Sequence, residues 1–281
     1  MIQVFRPKSL GEAISQYCFA RRMARAWNYE LSAVPTLLFP NAGPLSGKKL
    51  ISPVSVWEGH WPRDAYSGRA IDPQELAYPP GSKLTLRGSF QRFEYVTDIR
   101  DVVKNEWLKL GNPLPTRSSS DFVVCLYLSN YLEGIKAIAE STDSFPSEND
   151  LALKDTALLE EEIRYLVKNV SHKNLHFVTD RPDHDLFNNL CDLRATVHAQ
   201  GATCDFLFIH SFQKVAFSQN ILYWWAAFLG RAREVYPPPL DRGLWSYPAP
   251  AKFAYDPAHY GIDLQVTGEQ HWIYNWQHGL S

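Results

Sequence analysis

The stretch Lys214-Val215-Ala216-Phe217-Ser218-Gln219-Asn220-Ile221-Leu222-Tyr223-Trp224-Trp225-Ala226-Ala227-Phe228-Leu229-Gly230 decides how this chain is read. Its opening apolar run predicts a strand over Lys214–Ser218, and Asn220–Arg231 predicts a helix. A strand running into a helix leaves unpaired backbone N–H groups at the helix start, with the positive end of the macrodipole behind them. Such a start receives a phosphate or diphosphate, which hints at nucleotide-sugar chemistry. The Trp224-Trp225 pair fixes the helix in its domain.

The same alternation continues upstream. Phe122–Leu128 is a continuous apolar run, the pattern of a strand buried on both faces. Asp155–Val170 predicts a helix with Leu158, Leu159, Ile163, Leu166 and Val167 facing inward. Asn174–Thr179 predicts a strand, His184–Leu190 a short helix, Ala195–His198 a strand and Cys204–Phe212 a helix. Strands alternating with helices imply an α/β fold with a parallel, doubly wound sheet, which binds ligands at the carboxyl ends of its strands.

The first half is less regular. Ile2–Phe5 predicts a strand, and Ser9 to about Trp27 a loop entering a helix. Ala13, Tyr17, Ala20, Ala24 and Trp27 form one face, and Arg21, Arg22 and Arg25 fall mostly on the other side. From Pro35 to Pro80 the pattern dissolves into Pro, Gly and short aromatic pieces, a long irregular region of the kind that carries function. Leu84–Gly88 predicts a strand, and Phe93–Leu110 a helix stopped by Gly111-Asn112-Pro113. Asn112–Ser120 is the best linker. It divides the chain into an amino-terminal domain over 1–115 and a carboxyl-terminal one over 118–245. The tail 246–281, rich in Pro, Tyr and Trp, is expected to pack back on the first.

The chain has 281 residues, enough for one large domain or two ordinary ones. Hydrophobic residues make up 45% and charged ones 21%, a core-forming balance rather than a disordered one. With 28 basic and 30 acidic side chains the net charge is -2, so neither nucleic acid nor an anionic membrane is implied as main partner. The 9 Trp, 14 Tyr and 15 Phe are read as core; the alternative is that some line a sugar-binding cleft. Cys18, Cys125, Cys191 and Cys204 form no C-x-x-C pair and are expected to be free, buried thiols in a reducing compartment. No signal peptide and no membrane span are visible, so a cytoplasmic protein is expected.

Several chemistries lack their patterns. There is no Walker loop, no Gly-x-Gly-x-x-Gly, no Gly-x-Ser-x-Gly elbow and no His-Glu-x-x-His. Asp180-Arg181-Pro182-Asp183-His184-Asp185 reads first as a solvated turn-rich loop and second as a metal site. In Ser9–Gln16, Gly11 permits close backbone approach at a helix start. Glu12 is either a first-turn acid that favours the dipole or a general base for an acceptor hydroxyl. Glu58-Gly59-His60-Trp61-Pro62-Arg63-Asp64 suits either an acceptor-sugar loop or plain surface.

Four segments then stand in a familiar order. Ser9–Gln16, with Tyr17, Ala20 and Arg21, resembles the start of the α-1,2-fucosyltransferase family, Gly-Gly-Leu-Gly-Asn-Gln-Met/Leu-Phe-Gln-Tyr. Gly88-Ser89-Phe90-Gln91-Arg92-Phe93-Glu94-Tyr95 is similar to its Gly-Tyr-Trp/Phe-Gln-Ser-Glu-Lys-Tyr, and Phe177-Val178-Thr179-Asp180 to its Phe-Ser-Asp-Asp. Asp205 through Leu229 resembles the block ending Asn-Ser-Thr-Phe-Ser-Trp-Trp-Ala-Ala-Trp-Leu. The resemblance implies a GT-B-like fold of two facing Rossmann-like domains and an inverting, metal-independent glycosyltransferase. The departures are equally plain. The family's His-Val-Arg-Arg-Gly-Asp-Tyr falls at Cys125-Leu126-Tyr127-Leu128-Ser129-Asn130-Tyr131, without either arginine. Gln219 and Asn220 replace its Asn and Ser, Leu222-Tyr223 its Phe-Ser, and Glu12 its loop Asn. Related protein O-fucosyltransferases carry a glutamate there that is thought to act as base.

The expected enzyme thus moves a sugar from a nucleotide sugar to a hydroxyl of an oligosaccharide or glycan. The donor is GDP-fucose by resemblance, or of UDP-xylose type given the departures. Glu12 is the catalytic candidate. Gly11, Tyr127, Thr179, Asp180, Lys214, Ser218, Gln219, Asn220 and Tyr223 are the donor-binding candidates, and His60, Asp64 and Gln91 the acceptor-binding ones. No cofactor is expected beyond the donor, and no metal. Length and the lack of an anchor suit a bacterial or viral enzyme. The alternative is a non-catalytic carbohydrate-binding protein on a decayed transferase fold.

Overall fold

Parallel strands organise both halves of the chain. The computed structural model describes residues 2–4, 9–32, 38–47, 52–57, 82–87, 95–111, 114–129, 148–217 and 220–236. These fall into two compact units that divide between Leu114 and Pro115. The tail 246–281 lies outside the described residues.

In the first unit β1 (Ile2–Val4), β2 (Ser52–Trp57) and β3 (Ser82–Arg87) form a parallel sheet in the order β1-β3-β2, with Ile2 and Val54 both registered on Leu84. Strand β2 lies inside the stretch read as irregular. Its Val54-Ser55-Val56 centre alternates with period two, and Pro53 stands near the start of an edge strand, where proline is tolerated.

Helix α1 (Leu10–Trp27) begins where the sequence places it. Ser9 is its N-cap, the hydroxyl accepting from the Glu12 N–H at 3.2 Å, and Asn28 ends it in the left-handed region at φ 55°. Burial runs round most of the helix, not one face only. Arg21 departs from the outward side expected of it and is 8% exposed. Its Nη1 donates to the Tyr17 hydroxyl and to the Asn41 carbonyl (2.9 Å), and the guanidinium lies 4.9 Å from the Trp107 ring. Arg22 does face out, in a two-pronged pair with Asp98 at 2.7 and 2.9 Å. An ammonium has neither the fork nor the flat face, so Arg21→Lys is expected to cost about 1–2 kcal/mol in urea unfolding despite the kept charge. A wild-type midpoint contradicts that role for the plane. The predicted helix over Phe93–Leu110 resolves into a 3-10 turn at Thr97–Ile99, an α turn at Arg100–Val102 and a π turn at Val103–Trp107.

The second unit holds an open, all-parallel sheet. Its strands are β4 (Asp121–Leu126), β5 (Asn174–Thr179), β6 (Thr196–His198), β7 (Lys214–Phe217) and β8 (Glu234–Tyr236), ordered β6-β5-β4-β7-β8. The connecting helices are α2 (Glu148–Asn169), α3 (Asp185–Asn189), α4 (Ala202–His210) and α5 (Ile221–Leu229). Alternation along β4 sends Phe122, Val124 and Leu126 into one core with Leu159, Ile163 and Leu166 of α2. On the opposite face β5 brings His176 against Phe208 of α4 at 5.7 Å. Helices therefore cover both faces, and strand order reverses between β4 and β7.

Helix α5 is buried at every position but Leu222. Trp224 and Phe228 stack at 4.6 Å, and Trp225 meets Trp224 edge-on at 5.0 Å. It ends at Leu229, two residues short of the predicted Arg231, because the chain turns at Gly230 to enter β8, a strand not predicted from the sequence. The predicted linker also proves shorter. From Arg117 on, the segment is bound to this unit: the Arg117 N–H donates to the Ser211 carbonyl (3.1 Å) and the Ser118 N–H to Asp121 Oδ2 (3.1 Å).

His184 is the N-cap of α3, its Nδ1 accepting from the Leu186 N–H at 3.2 Å, a role open only to the neutral ring. Burial pushes the pKa of His184 below its ordinary value, and burial followed by the Arg117 charge does the same to His176 and His198. On acidification the unfolded chain therefore takes up these protons before the folded one. The stability involved is complete above the ordinary value of about 6.5 and declines as pH falls below it. Urea midpoints are expected to drop between about pH 7.5 and pH 5.5; equal midpoints would contradict the assignment.

Candidate functional site

Parallel strands share a direction, so the carboxyl ends of β4, β5 and β7 form one edge of the second sheet. The reversal between β4 and β7 opens a crevice there, the place where open α/β sheets bind ligands. Four candidates lie at this edge: Tyr127 just past β4, Asp180 just past β5, and Asn220 and Tyr223 at the start of α5. The Tyr127 and Tyr223 rings meet edge-to-face at 6.3 Å, joining the segment after β4 to the first turn of α5. Tyr223 is 2% exposed, and burial, reinforced by nearby Cys125, Asp180 and Asp205, drives its phenol pKa well up, so it stays protonated. Thr179 is fully buried and its Oγ1 accepts from the Arg181 N–H at 3.1 Å, a turn-forming rather than ligand-facing role.

Asp180 and Asn220 are already engaged with the backbone. Asp180 Oδ1 accepts from the Leu128 N–H (2.7 Å) and Oδ2 from the Ser129 N–H (3.1 Å). A carboxylate thus occupies the donors after β4 that an anionic ligand would seek. Asn220 caps α5, its Oδ1 accepting from the Leu222 (2.8 Å) and Tyr223 (3.3 Å) N–H groups. The helix start read as a diphosphate site therefore spends two of its donors on its own cap.

Lys214 is placed away from this crevice. The register aligns it with Phe122 and Glu234, the first or second residues of their strands. It thus stands on the amino edge, about 10 Å along the strand from Phe217. Its Nζ donates to the Ser171 carbonyl at 2.7 Å and lies 3.8 Å from Glu234 Oε2. Lys214, expected among the donor-binding residues, is thereby set apart from Tyr127, Asp180 and Asn220.

Asp205, not singled out in the sequence, is 6% exposed, and its Oδ1 accepts from the Gln200 N–H at 3.0 Å. Burial raises its pKa against the pull of the Gln200 and Gly201 N–H groups. Burial does the same to the Cys125 thiol, with Asp205 adding to it. An acid in the first turn after Gly201 was the only signal available. Arg181, the nearest cation in sequence to Asp180, turns to exposed Asp183 at 3.4 Å. Among the described residues no group of three or more His, Cys, Asp or Glu side chains is arranged to hold a metal ion.

In the first unit, Gly11 is buried in the opening turn of α1, and its carbonyl accepts from Ser15 Oγ at 3.1 Å. Glu12 Oε1 accepts from Gln16 Nε2 at 3.3 Å. Ser218, Gln219, His60, Asp64 and Gln91 lie outside the described residues. All four cysteines are free, but only Cys18 and Cys125 are buried; Cys191 and Cys204 are exposed, contrary to the expectation of four buried thiols. Cys191 follows α3 in a short 3-10 turn and Cys204 lies in the first turn of α4, where Leu190 and Phe206, not the cysteines, are buried. Among the described residues no helix is long and apolar enough to cross a membrane. No family model, no curated protein and no solved structure matches the chain.

Proposed function

We propose that the chain is a glycosyltransferase whose nucleotide-sugar donor sits at the carboxyl edge of β4 and β7. The observation that carries this reading is the Tyr127–Tyr223 pair across the strand-order reversal, with half-buried Tyr127, backed by buried Tyr223, at the point where such sheets bind nucleotides. The fucosyltransferase-like motifs supply the reaction class: inverting transfer, without a metal, to a glycan hydroxyl. By likeness to the protein O-fucosyltransferase loop, Glu12, steadied by Gln16, is assigned as the base for the acceptor hydroxyl. The loss of the motif arginines favours a donor other than GDP-fucose, and a UDP-pentose is the candidate.

A second reading, a carbohydrate-binding protein without transfer, draws on the same two hydrogen-bonding residues, since they leave fewer donors for a diphosphate. A thermal-shift panel of GDP, UDP and dTDP, each with its sugars, separates the two. The transferase reading expects a rise in Tm with at least one nucleotide sugar, about 2–3 kcal/mol of added stability at a hundredfold excess over Kd. A flat nucleotide panel with a response to free oligosaccharides rejects it in favour of the second.

A further inference from the structure

Away from the crevice, the α4 face of the sheet carries a cluster that the proposed function does not use. His176 of β5 is 9% exposed, and its Nδ1 has no hydrogen-bond partner among the described residues. Its ring lies 5.8 Å from that of His198 on β6, 5.7 Å from Phe208 and 5.2 Å from Phe212. His198 in turn lies 3.7 Å from Phe208. Over the same two phenylalanines sits the Arg117 guanidinium, 4.9 Å from Phe208 and 5.5 Å from Phe212. Arg117 belongs to the segment that enters this unit from Pro115, and that segment is fastened nearby through the Arg117 N–H on Ser211 and the Ser118 N–H on Asp121.

We propose that His176 and His198 form an acid-sensitive latch: neutral rings hold Arg117 and residues 115–120 on the sheet, and protonated rings release them. A proton on either ring adds a second positive charge beside Arg117, in a cluster otherwise made of phenylalanine. On His176 the proton also leaves an Nδ1–H buried without an acceptor. The charged groups that oppose this are Asp121 of β4, which faces His176, and Asp205 of α4, which faces His198. Asp121 is already committed: Oδ2 accepts from the Ser118 N–H and Oδ1 from Asn174 Nδ2 at 2.7 Å. Asp205 is committed to Gln200. Neither is free to swing to a new imidazolium without giving up the bond it makes. Like charge acts on Arg117, which the irregular segment 115–120 carries, so that segment yields before the strands do.

Hydrogen exchange of the full chain, read at the Arg117 amide and corrected for the intrinsic rate, tests this between about pH 7.5 and pH 5.5. Protection of that amide is expected to fall at least about tenfold, while the amides of Phe122–Leu126 lose no more than the drop in global stability read from the urea midpoints. Constant protection at Arg117 overturns the proposal. So does a parallel loss along β4, which marks general unfolding. His176→Phe/His198→Phe removes the titrating groups while keeping the aromatic packing and is expected to abolish the pH response; the same loss in that variant also overturns it. Should the double variant fold poorly, Arg117→Gln removes the cation that protonation repels. Its connector protection is expected to change less with pH than the wild type's, and an unchanged response counts against the latch.

Discussion

Gly230→Ala is expected to lose roughly 3 kcal/mol of folding stability, at the upper end of what overpacking costs. A methyl at this position would lie 2.5 Å from the Ala226 carbonyl oxygen, 2.7 Å from that of His210 and 2.9 Å from the His210 Cα. All three are backbone atoms, so no rotamer change relieves the contact. They belong to α5 and to the end of α4, and the Arg231 N–H donates to that same His210 oxygen at 3.1 Å. The glycine is required for close approach and not for its backbone angles, since φ is -80°. For a chain of this length the loss amounts to about 6–12 °C in Tm. Gly43→Ala is the control, because its methyl would meet nothing within 4 Å. A wild-type Tm for Gly230→Ala would mean that α5 does not end against α4 in this way.

Asp180→Ala is expected to cost a comparable amount, about 3 kcal/mol. Hydrogen bonds to a charged group contribute about 1.5–3 kcal/mol each, and the partly buried donors are then left to whatever water reaches them. Two bonds are lost, from the Leu128 and Ser129 N–H groups. Asp180→Asn keeps one acceptor oxygen and turns an amide NH2 toward the other donor, so it is expected to lie between Ala and the wild type. Urea midpoints rank the three proteins. Wild-type stability for Asp180→Ala would show that the carboxylate does not organise the loop after β4, and the placement of the crevice would fall with it.

Much of the second sheet was legible because its strands are apolar and its helices strongly periodic. Asn174–Thr179 is read with the bounds it has, and Asn220 stands where a helix cap belongs. The misses have separate causes. Strand β2 is hidden by Pro53 and by serines that break the apolar run, although its period is two. Strand β8, Glu234-Val235-Tyr236, stands between Arg231-Ala232-Arg233 and the prolines from Pro237, a context that reads as loop. Arg21 goes inward because Tyr17, Asn41 and Trp107 supply partners from elements whose packing is not written locally. Lys214 fails for a different reason. It adjoins the candidate helix in sequence, but a strand separates them, and a strand's first residue and the cap of the next helix stand on opposite edges. That inference was available from strand geometry alone. The engagement of Asp180 with the loop after β4 was not, since it joins residues 51 and 52 positions apart.

Calorimetric titration of a nucleotide sugar into three proteins tests the placement of the donor most directly: the wild type, Tyr127→Ala at the carboxyl edge and Lys214→Ala at the amino edge. The account predicts binding to the wild type, a loss of at least tenfold in Tyr127→Ala, about 1.4 kcal/mol, and an unchanged Kd in Lys214→Ala. Weakening by Lys214→Ala with Tyr127→Ala unaffected, or no binding of any nucleotide sugar to the wild type, would contradict it.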